Sequence, residues 1–218
     1  MDTTTQSLAF DDLTNYGKAN AMSRYNDAPD DWAEEIIARA KQDGPERGFE
    51  IDEVAWSGFS SQGDGASWTG MVRLPRFIEY HNKPDNYDYT QYFVLNELIK
   101  EGWTDTHVGV SRSGFYYNHS GTMRVDDIKD SLYDADGACI DAGILQGASV
   151  RELMNSISVD VRLEELHQWV ENEVRNYANE IYAQLRDEYD EYASEERFKE
   201  VCDINGWRFN VNGYLQEE

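Results

Sequence analysis

Positive charge is scarce in this sequence: 19 Lys and Arg stand against 43 Asp and Glu, a formal charge of −24 over 218 residues. Ordinary binding to a phosphate backbone is excluded, because it rests on Lys and Arg displacing condensed counterions. An anionic membrane surface is excluded for the same reason. The partners left are basic protein surfaces, divalent cations, or none, with plain solubility as the alternative use of such acidity. Cysteine is nearly absent, and Cys139 and Cys202 form neither a disulfide framework nor a metal-ligand spacing. There is no HExxH helix and no complete acidic loop, so no metal or other cofactor is expected. No apolar run reaches the ~18 residues of a membrane span. Met1 to Asp12 lacks a basic n-region and an apolar h-region, so the expected compartment is the cytoplasm.

What is present is enough for a core: 40% hydrophobic residues, with six Trp and fourteen Tyr to fill it. Residues 1–48 read as a polar arm followed by a short helix, in which Trp32, Ile36, Ile37 and Ala40 recur at helical spacing before Gly44-Pro45. Residues 49–218 read as a single α+β domain. Strands are expected at Phe49–Phe59, Ser67–Leu74, His107–Ser111 and Phe115–Val125, with a fifth at Ser156–Arg162, where Ile157, Val159 and Val161 alternate. Short strands separated by turns favour an antiparallel sheet of about five strands over βαβ units. A helix is expected around Tyr92–Ile99, ending at Gly102. A last strand is expected at Trp207–Val211. From Leu163 to Tyr192, apolar residues step by three or four in one stripe, which predicts a long amphipathic helix packed across the sheet.

The stretch Trp56-Ser57-Gly58-Phe59-Ser60-Ser61-Gln62-Gly63-Asp64-Gly65 joins the first two strands. Gly63-Asp64-Gly65 is turn chemistry, since glycine takes positive φ cheaply and Asp64 can bond nearby backbone. A hairpin with a loop longer than two residues follows. Its consecutive N–H groups resemble an anion nest, yet no helix or Lys follows as in a phosphate loop. A Ser60–His119–Asp64 hydrolase is the enzymatic alternative; a tight turn capped by Gln62 and Asp64 is the structural one. Asp134-Ala-Asp-Gly137 with Asp141 is half of a calcium loop without its closing ligands, and reads as solvated loop. Glu164, Glu165 and His167 are adjacent but open a helix, where acids suit the dipole.

Trp56 to Trp68 resembles the WSGFxSQGDGA signature of small acidic proteins of bacteriophages and prophages, with Trp68 where the usual form has Phe. The likeness continues at Tyr116–Val125, in the acidic helix ending near Tyr189, and from Glu196 to Gly213. Residues 131–150 look like an insertion. Members of that family often carry the label of antitoxin of a toxin–antitoxin stability system. The resemblance therefore implies a phage-encoded protein of the infected cell's cytoplasm.

The long helix is the strongest functional lead. Glu164, Glu165, Glu171, Glu173, Glu180, Asp187, Glu188 and Glu191 are expected on its outer face. Charge runs are usually just solvated, but the extreme net charge and the phage resemblance favour a binding surface. The expectation is a non-enzymatic acidic protein that binds and inhibits a basic, nucleic-acid-handling host protein, as a DNA mimic in its sharpest form. The alternatives are an antitoxin-like partner of a basic toxin and a self-associating virion or scaffolding protein.

Overall fold

The structure is a computed structural model and describes residues 7–26, 31–81, 107–114, 117–128 and 157–216. The expected helix at 92–99 and the half calcium loop at 134–141 lie outside the described residues. The chain divides into two compact units, Ile36–Ala183, and Met1–Glu35 with Gln184–Glu218. Among the described residues, no helix is long and apolar enough to cross a membrane.

The first unit is built on a four-stranded antiparallel sheet in the order β1 (Phe49–Ser57), β2 (Gly65–Arg73), β3 (His107–Arg112), β4 (Met123–Val125). The register pairs Phe49 with Val72, Trp56 with Ala66 and Ser57 with Gly65, and slips between Ile51 and Glu53. Gly70 stands opposite Ile51 at that slip, at φ 150°, where an added Cβ would strike the Glu50 carbonyl. Alternation along the strands puts Phe49, Trp68, Val72, Val108, Val110, Met123 and Val125 on one face, and all are buried.

That face is covered by α4 (Ile157–Tyr192), α1 being Asn15–Tyr25, α2 Glu34–Asp43 and α3 Leu74–His81. Leu166, Val170, Val174, Tyr177, Ala178 and Ile181 form its buried stripe. The Trp68 indole donates to the Val174 carbonyl at 3.3 Å, and the Tyr177 hydroxyl donates to the Ala40 carbonyl at 2.9 Å. Phe49 lies 5.4 Å from Trp68, 6.0 Å from Phe77 and 5.3 Å from Tyr177, ring to ring. One aromatic cluster thus ties β1, β2, α3 and α4 together.

Three expectations are corrected in this unit. The strand at Ser156–Arg162 is not formed: α4 already begins at Ile157, so the described sheet has four strands, not five. Three alternating β-branched residues cannot resist a helix that buries a stripe many turns long. Of the strand expected at Phe115–Val125, the described residues form only Met123–Val125, because a 3-10 turn at Ser120–Thr122 precedes it. Third, no helix is expected between the strand that ends at Pro75 and the helix at Tyr92–Ile99, yet Leu74–His81 forms α3; Pro75 sits in its first turn, where its missing N–H costs nothing.

The second unit packs Phe10, Leu13, Ala21, Phe198, Cys202 and Phe209 into its own core. Phe10 meets Phe198 edge to face at 5.0 Å. Thr14 caps α1 and Ser194 caps α5 (Glu195–Asn205), each hydroxyl accepting from a first-turn backbone amide. In place of a strand at Trp207–Val211, Phe209 makes single bridges to Leu8 and Leu215. Burial pushes the Cys202 thiol up to about 11, with Asp203 adding to it, so at neutral pH the thiol stays protonated and unreactive. Replacing Ser194 by alanine removes the bond to the Arg197 amide and is expected to cost about 1 kcal/mol. A thermal melt should show the transition roughly 2–4 °C lower; an unchanged melting point would mean that the cap contributes nothing.

Candidate functional site

Two regions carry the residues singled out from the sequence: the hairpin loop at 58–64 and the solvent side of α4.

The loop is held from three directions. Asp64 Oδ2 accepts from the backbone amides of Ser60 and Ser61, the former at 2.8 Å, and the Asp64 amide donates to the Ser61 carbonyl at 3.0 Å. The Tyr182 hydroxyl of α4 donates to the Gly58 carbonyl at 2.9 Å. Phe59 stacks between Trp56 and Tyr182, with ring centroids 5.6 and 5.5 Å away. The Asn118 amide donates to the Trp56 carbonyl at 3.2 Å and accepts from Arg112 at 2.9 Å. Ser60, Ser61 and Gln62 are exposed at the tip, and Gln62 caps nothing among the described residues.

The glycines of the loop serve contact rather than φ. Neither Gly63 nor Gly65 is among the positive-φ residues. An added Cβ on Gly63 would meet the Tyr117 ring, and one on Gly65 would stand 2.5 Å from His119 Cβ and 2.7 Å from His119 Cα. Residues Tyr117–His119 therefore lie directly on the turn, a long-range placement that the local sequence does not announce.

The Ser60–His119–Asp64 arrangement is not assembled as a hydrogen-bonded triad among the described residues. Asp64 Oδ2 is engaged with backbone amides, and His119 Nδ1 accepts from the Gly121 amide at 3.1 Å. Nδ1 acts as acceptor in that bond, which in a neutral ring leaves the proton on Nε2. Among the described residues no three His, Cys, Asp or Glu side chains converge as metal ligands.

On α4 the carboxylates do not share one face. Each residue turns the helix by about 100°, so relative to the buried stripe Glu164 and Glu171 fall on one flank, and Glu173 and Glu180 on the other. The crest between them carries Gln168, Asn172, Asn176 and Asn179, all exposed, with Glu165 at its start. Gln168 and Asn172 side chains approach to 3.5 Å. Two of the carboxylates are already neutralised. Glu171 pairs with Arg175 at 2.8 Å, and Glu180 with Arg47 at 2.7 Å. Burial opposes the Arg47 charge, but the hydrogen bond and charge of Glu180 outweigh it and raise its pKa. The same guanidinium lies over the Tyr177 ring at 4.6 Å. Glu164 and Glu173 have no cation partner among the described residues. Asp187, Glu188 and Glu191 continue the helix within the second unit, likewise without a cation.

The amide crest was within reach of the sequence: Gln168, Asn172, Asn176 and Asn179 recur at helical spacing like the apolar stripe opposite them. Counting acids alone conceals it.

A family model described as a domain of unknown function (DUF8835) matches residues 32–195, more than half of the chain. No curated protein matches the chain. No solved structure matches it either.

Proposed function

The chain belongs to this family of unknown function, and we propose that it is a non-enzymatic acidic protein that binds a basic, nucleic-acid-handling protein through the solvent side of α4. The observation that carries this reading is the pair of carboxylate flanks around an exposed amide crest, in a chain of net charge −24. A basic groove built for nucleic acid offers cations along its rims and hydrogen-bonding groups on its floor. An amide crest between acidic flanks complements both. The flanks stand about 10–12 Å apart, the width of a helix with its side chains, close to the ~12 Å of a major groove.

Charge density separates imitation of shape from imitation of each phosphate. Glu164 to Glu180 places five carboxylates along about 24 Å of helix, and with Glu171 and Glu180 paired to Arg175 and Arg47 the net density is no more than about one charge per 8 Å. Duplex DNA carries one charge per ~1.7 Å. Recognition would therefore rest on sign and helical shape, with the partner's cations matched only in part. The resemblance of residues 56–68 to phage proteins supports an inhibitor acting in the host cytoplasm, with an antitoxin as the same chemistry aimed at a basic toxin.

The test is capture of partners from host lysate, with bound proteins identified by mass, using wild type and Glu164→Lys/Glu173→Lys. Glu171 and Glu180 are spared because they hold internal pairs. A basic nucleic-acid enzyme should be retained at low salt, released at high salt, displaced by duplex DNA, and bound at least tenfold less by the variant. Salt-insensitive capture that the variant retains, or capture of the chain by itself alone, would end the reading.

A further inference from the structure

The signature hairpin contains two hydroxyls whose chemistry the loop bonds do not use. Ser57 Oγ and Ser67 Oγ are buried, and neither has a hydrogen-bond partner among the described residues. Ser67 is 1% exposed. Ser57 stands opposite Gly65, and Ser67 opposite Ala55. The four side-chain positions share the face of the sheet turned away from Trp68 and α4. The serines thus occupy one diagonal of a four-residue box, and the two smallest residues occupy the other. Diagonal neighbours lie roughly 7–8 Å apart along the backbone and somewhat closer at Cβ, so the two hydroxyls do not bond each other but can lean toward a shared point between them. His119 Cβ and Cα close the place a Gly65 Cβ would take, at 2.5 and 2.7 Å, with the Asn118 carbonyl beside them at 3.4 Å; that oxygen receives no donor among the described residues.

We propose that an ordered water is bound in this box, held by Ser57 Oγ, Ser67 Oγ and the Asn118 carbonyl. Three hydrogen bonds are the usual complement of a buried water, and polar groups left otherwise unpaired are its usual hosts. The water ties the Tyr117–His119 segment to the hairpin on the side opposite the Asn118 side chain, which grips the Trp56 carbonyl. It also gives this hairpin a reason for serine at both positions: alanine would fill the same space but could not hold the water.

The experiment compares Ser57→Ala, Ser67→Ala and the double variant of the full chain by thermal denaturation. Each single substitution should lower the melting temperature by roughly 2–6 °C, since it strands the other hydroxyl. The double variant should fall no further than the worse single one, because one water is lost once. Single variants that melt at or above wild type would overturn the proposal, since removing a hydroxyl with no partner is neutral or stabilising. Strictly additive losses would overturn it too. If a variant does not fold, nuclear Overhauser contacts between a long-lived water and the Ser67 or Gly65 amide in the wild-type chain decide; their absence rejects the site.

Discussion

Replacing Trp68 by alanine is expected to cost about 3–5 kcal/mol and to lower the melting temperature by roughly 10 °C or more. Trp68 is 1% exposed and forms a corner of the cluster in which Phe49 also meets Phe77 and Tyr177. Truncation opens a cavity where β2 faces α4, and nothing nearby is free to fill it: Val174 and Val72 are fully buried. Trp68→Phe should be far milder, about 1–2 kcal/mol, because it keeps most of the ring contact and loses the bond to Val174. That variant also restores the residue usual in the signature the hairpin resembles. Urea denaturation followed by circular dichroism gives both numbers. An alanine variant within 1 kcal/mol of wild type would mean that Phe49 and Tyr177 close over the gap, and that the cluster is not the keystone of the sheet unit.

Much of the sheet unit is readable locally, and its misreadings have specific causes. The stripe from Leu166 to Ile181 predicts both the helix and the face it buries, since burial against a sheet is what such a period serves. The β1–β2 hairpin follows from two aromatic runs around glycine and aspartate. The beginning of α4 is misread because Ile157, Val159 and Val161 fit a strand over too short a window to decide. α3 is missed because Pro75 and nearby aromatics suggest an interruption, although proline in a first helical turn is tolerated. The reason for the loop glycines is hidden for another cause. It depends on where residues 117–119 settle, and no local pattern encodes that contact. The acidic helix shows the same limit. Composition reveals how many carboxylates there are, but only their angles about the axis, and the cations that reach Glu171 and Glu180, show which remain available.

The second large effect separates the two roles a signature glycine can have. Gly65→Ala is expected to cost about 2–3 kcal/mol, because the new methyl group would stand 2.5 Å from His119 Cβ and 2.7 Å from its Cα. A backbone atom cannot swing aside, so the Tyr117–His119 segment must lift from the turn, weakening the Asn118 bond to the Trp56 carbonyl. Gly63→Ala meets only the ring of Tyr117, a side chain 59% exposed and able to rotate into solvent. Its cost should stay near 0.5 kcal/mol, within the range of an ordinary surface change. Neither position has positive φ, so dihedral strain contributes to neither number. Chemical denaturation of the two variants, together with the His119 ring resonances in each, reads the difference directly. Gly65→Ala should shift those resonances and Gly63→Ala should leave them nearly in place. If the order of costs is reversed, the turn's own backbone sets the glycine requirement, and the contact with His119 is incidental to it. If the order holds, the hairpin and the His119 segment form one structural device, and substitutions in either should be read through their effect on the other.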